Sequence, residues 1–322
     1  MTTAQRADAA HTLPQKRTLW QRAVRELKQN KYVYIMAVPV ILYYIIFCYQ
    51  PMYGAQIAFK RFEIAKGIAG SQWVGFKYFT DFITGPYFFR LMRNTLLISF
   101  YQLLFAFPAP ILLAILLNEL RSNRFKRTVQ TIIYLPHFIS MVIICGMIHS
   151  FVSRDGVITD LCVALGMTRT NMLGDPRFFR SIYTISGIWQ GVGWGSIIYL
   201  AALSGIDPTL YDAAVVDGAG RFRRMVHITL PALKPTIITL TLMAIGRIFY
   251  SDFGLFYQVP MNSGPLLDVT NTIDTYVYRG LMSLNNISMA SAAGVYQSLI
   301  GFLLVLAANF IVKKGSSENA LF

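Results

Sequence analysis

Tyr211-Asp212-Ala213-Ala214-Val215-Val216-Asp217-Gly218-Ala219, followed after eight residues by Ile228-Thr229-Leu230-Pro231, lies in a polar, basic island between two long apolar runs. The island spans residues 205–234 and reads as two short helices broken at a glycine. Asp207 can cap the first helix, and Pro208 suits its first helical position, where no amide hydrogen is needed. Gly218 supplies the turn because it takes a positive φ at little cost. Arg221, Arg223 and Arg224 make the second half basic, and Leu230-Pro231 is expected to end it. A structured helix pair in one polar loop of an otherwise apolar chain implies a docking surface.

The rest of the chain supplies the setting. Of 322 residues, 55% are apolar and only 14% charged, against about 25% charged in a soluble domain. The chain therefore reads as an all-α integral membrane protein. A hydrocarbon core of ~30 Å needs ~20 apolar residues per helix. Six segments meet that length: 32–50, 94–118, 131–152, 182–204, 236–258 and 289–312. Each must be helical, because a lone strand cannot satisfy its backbone in lipid. Pro39, Pro108, Pro110 and Pro136 fall in or beside these runs and are expected to kink them. Leu135-Pro136 is expected to separate an interfacial segment from the third span proper. Cys48, Cys145 and Cys162 show no metal-ligand spacing and read as small packing residues without a disulfide. The first apolar run is too long for a signal-peptide core and reads as a retained helix.

Charge orients the spans. Of the 29 Lys and Arg residues, seventeen fall on the side that holds the N-terminal arm, the loop Arg121–Arg127, residues 205–234 and the tail. Eleven fall on the other side, and Arg247 lies within a span. The positive-inside rule places the richer side, with both termini, in the cytoplasm. The net charge of +14 is then mostly topological, not a nucleic-acid footprint. The resulting layout is a cytoplasmic arm (1–31), a six-helix membrane domain (32–315) and a short tail (316–322). The outward loops are 51–93, 153–181 and 259–288. The first and last are rich in Gly, Pro and aromatic residues and read as folded.

The island resembles the "EAA" coupling loop of permease subunits from binding-protein-dependent ABC importers. That family's pattern is Glu-Ala-Ala, two variable residues, Asp-Gly-Ala, a spacer, then Ile-x-Leu-Pro. Here Asp212-Ala213-Ala214, Asp217-Gly218-Ala219 and Ile228-Thr229-Leu230-Pro231 match at the right spacing. Two positions depart from it. Asp212 replaces the usual Glu, keeping the charge but shortening the reach, and Met225 stands where the sugar-permease subgroup has Phe. The flavour of the motif is similar to the carbohydrate-uptake class. The terminal Glu318-Asn319-Ala320-Leu321-Phe322 looks like a subgroup of multiple-sugar and complex-oligosaccharide permeases.

The resemblance implies a type I importer permease fold in a bacterial cytoplasmic membrane. It implies that Asp212, Ala213, Ala214, Asp217, Gly218, Ala219, Ile228, Leu230 and Pro231 couple to an ATPase. The implied partners are a second, homologous permease subunit forming a heterodimer, two ATP-binding subunits, an extracytoplasmic solute-binding protein and the sugar itself. ATP and Mg would be used by the ATPase partners and not by this chain. The sequence agrees in lacking a Gly-x4-Gly-Lys-Ser/Thr phosphate loop.

Ionisable groups inside a membrane are costly to bury and so are functional candidates. Apart from His137 and His149 near the ends of the third span, only Arg247 and Asp252 qualify, both expected in the fifth span. Arg247 should pair with a neighbouring subunit or line a watery cavity; Asp252 should sit near the outer mouth. Sugars are held by aromatic faces and hydrogen-bonding side chains. Trp189, Gln190 and Trp194 of the fourth span, with Tyr250 of the fifth, are the candidates for a polar pathway. The alternative for the aromatics is anchoring at the lipid interface. Gly191, Gly193 and Gly195 allow close packing or a distorted helix. The rival function is an ion-gradient-driven secondary transporter of a small polar solute. It would want intramembrane carboxylates, and only Asp252 is available.

Overall fold

The computed structural model describes Glu26, residues 28–261 and residues 263–315. The basic arm residues Arg6, Lys16, Arg17, Arg22 and Arg25 and the terminal Glu318–Phe322 lie outside the described residues. The chain divides into two units, 1–56 and 57–322. Over its described part the first unit is the bulk of one apolar helix, α1 (Lys31–Phe59), whose side chains are largely exposed.

The second unit is almost wholly helical. A two-stranded antiparallel ribbon, β1 (Lys60–Arg61) and β2 (Gln72–Trp73), pairs Lys60 with Trp73. Next come α2 (Lys77–Ile83), α3 (Phe88–Asn118), α4 (Asn123–Tyr134), α5 (Met141–Val152) and α6 (Val157–Ala164). They are followed by α7 (Pro176–Ser204), α8 (Pro208–Val216), α9 (Arg221–Gly246), α10 (Phe253–Gln258), α11 (Ile273–Met282) and α12 (Ile287–Gly315). The first outward loop is indeed folded: Phe59 stacks on Trp73 with centroids 5.6 Å apart, and Phe82 is buried. In the last, Thr272 and Thr275 form a capping box that starts α11.

Among the described residues, five helices are long and apolar enough to cross a membrane: α1, α3, α5 with α6, α9 and α12. The remaining expected span, 182–204, lies in α7. That helix has 29 residues, about 43 Å at 1.5 Å each, so its length suffices. Its apolar content does not, because Gly187, Gln190, Gly191, Gly193, Gly195 and Ser196 dilute it.

Two expected spans are revised. The third, drawn as 131–152, breaks at Leu135-Pro136 as expected, and its bounds shift accordingly. Pro136 sits in a 3-10 turn (Leu135–Phe138), Ile139 is extended, and Ser140 caps α5 through the Ile143 amide, so the helix restarts at Met141. The fifth ends at Gly246, and Arg247–Asp252 is non-helical before α10 begins. Gly246 lies where a Cβ would collide with Val305 of α12.

Leu230-Pro231 does not end the second coupling helix either. α9 runs on through Pro231, because a π-turn over Met225–Thr229 comes first. Proline removes one amide donor and pushes its ring towards the carbonyl four residues back. A π-turn widens the helix there. Leu230 donates its amide to Met225, five residues back. The device recurs: Phe107 donates to Gln102 before Pro108, and Gln50 to Ile45 before Pro51. Pro108 is therefore absorbed in α3 without breaking it.

Three buried clusters hold the second unit together. One joins α5, α7 and α10 through Ile144, Ile148, Phe179, Tyr183, Leu255 and Phe256. A second packs Ile111, Ala114 and Ile115 of α3 against Tyr199 and Leu203 of α7 and Leu233 of α9. A third gathers Phe82, Leu91, Phe249, Ile273 and Ala293. The glycines of α7 serve close packing without distorting it. A Cβ at Gly193 would strike the Ile133 carbonyl, and one at Gly195 would lie 3.0 Å from Pro110, whereas Gly191 has open space.

Candidate functional site

Two sites emerge, one at each end of α9. At its N-terminal end, Asp207 caps α8 by accepting the Thr209 amide at 2.9 Å. That bond holds its carboxyl below the usual carboxylate range. At the other end of α8, Gly218 has φ +76. Its amide donates to Val215 at 3.0 Å, and the Ala219 amide donates to Ala214 at 2.8 Å. These two bonds make a Schellman cap, which needs a left-handed residue at its centre. They give the spacing of Ala214, Asp217, Gly218 and Ala219 a local cause. Nothing lies within 4 Å of a Cβ built at Gly218, so its conformation, not its size, demands glycine.

The Tyr211 hydroxyl lies 2.9 Å from Thr229 Oγ1 and ties α8 to α9. The pair then presents Asp212, Ala213, Val216 and Phe222 outward; Val216 is 87% and Phe222 73% exposed. Ile228 is half-buried, and Leu230 and Pro231 are exposed. Among the described residues Asp212 has no ion-pair partner within the chain.

At the other end lies a cavity of about 820 Å³, open on one side. Such a volume suits a ligand of several rings. Four of the six expected candidates line it: Gln190 from α7, and Arg247, Tyr250 and Asp252 from the turn after α9. Arg247 is exposed, with no hydrogen bond or ion pair to its guanidinium among the described residues. Asp252 caps α10 by accepting the Leu255 amide at 3.3 Å. The Tyr250 hydroxyl lies 3.0 Å from Ser298 Oγ. Arg247 and Asp252 do not share a helix, because α9 ends at Gly246.

Trp194 does not line the cavity. It stacks flat on His137, with centroids 4.5 Å apart and planes 4° from parallel, and His137 is the lining residue. Trp189 is also absent from the wall and is 42% exposed. Sequence reasoning missed Ser99 and Gln102 of α3, His137, and Tyr183 of α7. A signal existed for two of them. Gln102 is a polar side chain inside an apolar span, as Gln190 is, and Tyr183 sits seven residues before Gln190 on one helical face.

Comparison with known proteins places this arrangement. Residues 106–314 match the family model described as "Binding-protein-dependent transport system inner membrane component". The chain is 42% identical over 319 residues to Protein LplB of Bacillus subtilis (strain 168), covering 99% of each. It is 41% identical over 300 residues to the polygalacturonan/rhamnogalacturonan transport system permease protein YteP of the same organism, covering 93% of each. Its structure superposes with TM-score 0.83 and 37% identity on a chain of a bacterial ABC transporter involved in the import of the acidic polysaccharide alginate. That match covers 92% of this chain and 99% of the other. A related structure of the alginate transporter is in complex with an alginate pentasaccharide-bound periplasmic protein; its TM-score is 0.82, with 91% and 98% of the two chains covered. The chain belongs to the binding-protein-dependent transport system inner membrane component family, as a multi-pass inner-membrane permease subunit of a carbohydrate ABC importer.

Proposed function

We propose that this subunit forms half of an oligosaccharide pathway and couples it to separate ATPases through α8 and the start of α9. The observation that carries the reading is the capped helix pair, with Asp212, Val216 and Phe222 exposed and Asp212 without an ion-pair partner among the described residues. Apolar side chains rimmed by charge on a structured projection fit a cleft in another protein. Two ATP-binding subunits would bind there, using ATP and Mg, and a homologous permease subunit would complete the membrane pair. An extracytoplasmic solute-binding protein would deliver sugar to the opposite face. Both termini and the coupling loop are then cytoplasmic. When the ATPases close on ATP, α8 moves with the cleft that holds it, and α9 carries that motion to the cavity turn.

The cargo we assign is an acidic oligosaccharide. Two similarities support it: the alginate transporter and the polygalacturonan/rhamnogalacturonan permease. Arg247 supports it independently, since an unpaired guanidinium on the wall can take a carboxylate by two parallel hydrogen bonds. Gln190, Tyr250 and Asp252 would hydrogen-bond sugar hydroxyls.

The test is to express a tagged chain with the neighbouring transport subunits and purify it. The expected product holds two permease subunits and two ATPases, with ATP hydrolysis stimulated by the loaded binding protein. Sugar uptake by the chain without any ATPase, driven by an ion gradient, would overturn the reading.

A further inference from the structure

The stretch between α9 and α10 faces the cavity, and across Arg247–Asp252 its own backbone supplies only three turn bonds, from the amides of Arg247, Ile248 and Tyr250 to carbonyls three residues back. Its backbone groups must still find partners. Side chains from four other parts of the fold supply them. Ser99 of α3 donates to the Ile248 carbonyl. Gln297 of α12 donates to the Phe249 carbonyl at 2.8 Å. Tyr183 of α7 accepts the Asp252 amide at 3.2 Å. Asp274 of α11 accepts both the amide and the hydroxyl of Ser251 on Oδ2, at 2.6 and 2.7 Å.

Asp274 is the hub of this set. Its other oxygen, Oδ1, accepts Gln297 Nε2 at 2.9 Å. The Ser251 hydroxyl also lies 3.0 Å from Thr272 Oγ1. Gln297 is 3% exposed and Thr272 fully buried, so most of these bonds are shielded from water. An acidic residue in the first turn of α11 is favourable for the helix alone. That role would leave its oxygens on α11's own amides or in solvent. Instead both oxygens reach out of the helix to the turn and to α12.

We propose that Asp274 is the positioning residue of the transport pathway. It holds the turn that presents Arg247, Tyr250 and Asp252 to the cavity, and it locks that turn to α12. This rests on the cavity being the sugar pathway. Asp274 does not itself line the cavity, so it acts only through the turn. An Asn at this position cannot replace it. Asn offers one accepting oxygen and one donating NH2, so it cannot accept from Ser251 and Gln297 together.

The test uses the full complex with its binding protein, in a background lacking Cys48, Cys145 and Cys162. Asp274→Asn is expected to assemble with the ATPases as wild type does. Its KM for sugar uptake should rise about tenfold with Vmax little changed, the scale of one or two lost hydrogen bonds. A reporter Phe253→Cys, beside the turn, should gain several-fold in reactivity towards a small water-soluble thiol reagent. A reporter Gln190→Cys, across the cavity on α7, should not change. If Asp274→Asn fails to assemble, Ser251→Ala removes only the hydroxyl bond and should shift both readouts in the same direction by less. Wild-type KM with unchanged labelling at position 253, or equal gains at 190 and 253, would overturn the assignment. Should the wild-type complex carry no sugar, the functional reading fails, and the labelling comparison still decides whether Asp274 holds the turn.

Discussion

Gly218 and Asp212 do different work within a few residues of each other. Gly218 is required by its φ of +76 and by the two capping bonds around it. Gly218→Pro forbids that conformation and removes the amide that donates to Val215. The expected result is an assembled importer whose binding-protein-stimulated hydrolysis no longer drives uptake; coupled uptake at the wild-type rate would count against it. Among the described residues Asp212 has no ion-pair partner, so its charge is free for the proposed ATPase contact. Breaking a buried charge pair by removing one side costs ~3–5 kcal/mol. Asp212→Ala should therefore lose ATPase during purification while Asp212→Glu retains it, and equal retention by all three proteins would sink the idea. In the cavity, Gln190→Leu removes a hydrogen-bonding group from a wall with open space beside Gly191. Uptake should fall, with subunit assembly intact. A cysteine at 190 should react with an aqueous thiol reagent in at least one nucleotide state. Normal uptake by the Leu variant would make this face mere packing.

At the scale of elements, the apolar runs were legible because lipid leaves so few options. The coupling helices were legible because Asp207, Pro208 and Gly218 each carry a local conformational cause. The length of α9 was not. Pro231 was read as a stop, yet the π-turn before it lets the helix continue, and proline alone does not announce the turn. The break at Gly246 was equally hidden. It goes with packing against Val305, hydrogen bonds donated by Ser99 and Gln297, and one accepted by Asp274, all distant in sequence. Trp194 shows the same limit: it follows Gln190 by four residues on one helical face, but it stacks on His137 and stays out of the cavity wall. The π-turn yields its own prediction. Pro231→Ala restores a donor, and the extra residue in the turn then loses its purpose. Stability should change little, by about 1 kcal/mol or less, whereas Pro231→Ala with Val226 deleted should still transport. Complete loss of uptake in the double variant would show that the widened turn has a role beyond accommodating proline.

For the whole molecule, α9 joins the two sites. It has 26 residues, about 39 Å at 1.5 Å per residue. Near its far end it is clamped: Gly246 abuts Val305, and the Gly246 carbonyl would lie 3.1 Å from a Cβ at Gly301. Leu233 packs it against α3 and α7 as well, so in the proposed cycle the three helices would swing together about that clamp, as a lever with unequal arms. The long arm ends at α8, the proposed ATPase surface, and the short arm is the handful of residues from Gly246 to Asp252. Motion would be geared down between them: a wide swing at α8 would become a small adjustment beside the cavity. Spin labels should report it: across the nucleotide cycle, distances to position 221 should change several-fold more than distances to position 247. Gearing of this kind would convert the broad closure of the proposed ATPase pair into a fine movement at the cavity.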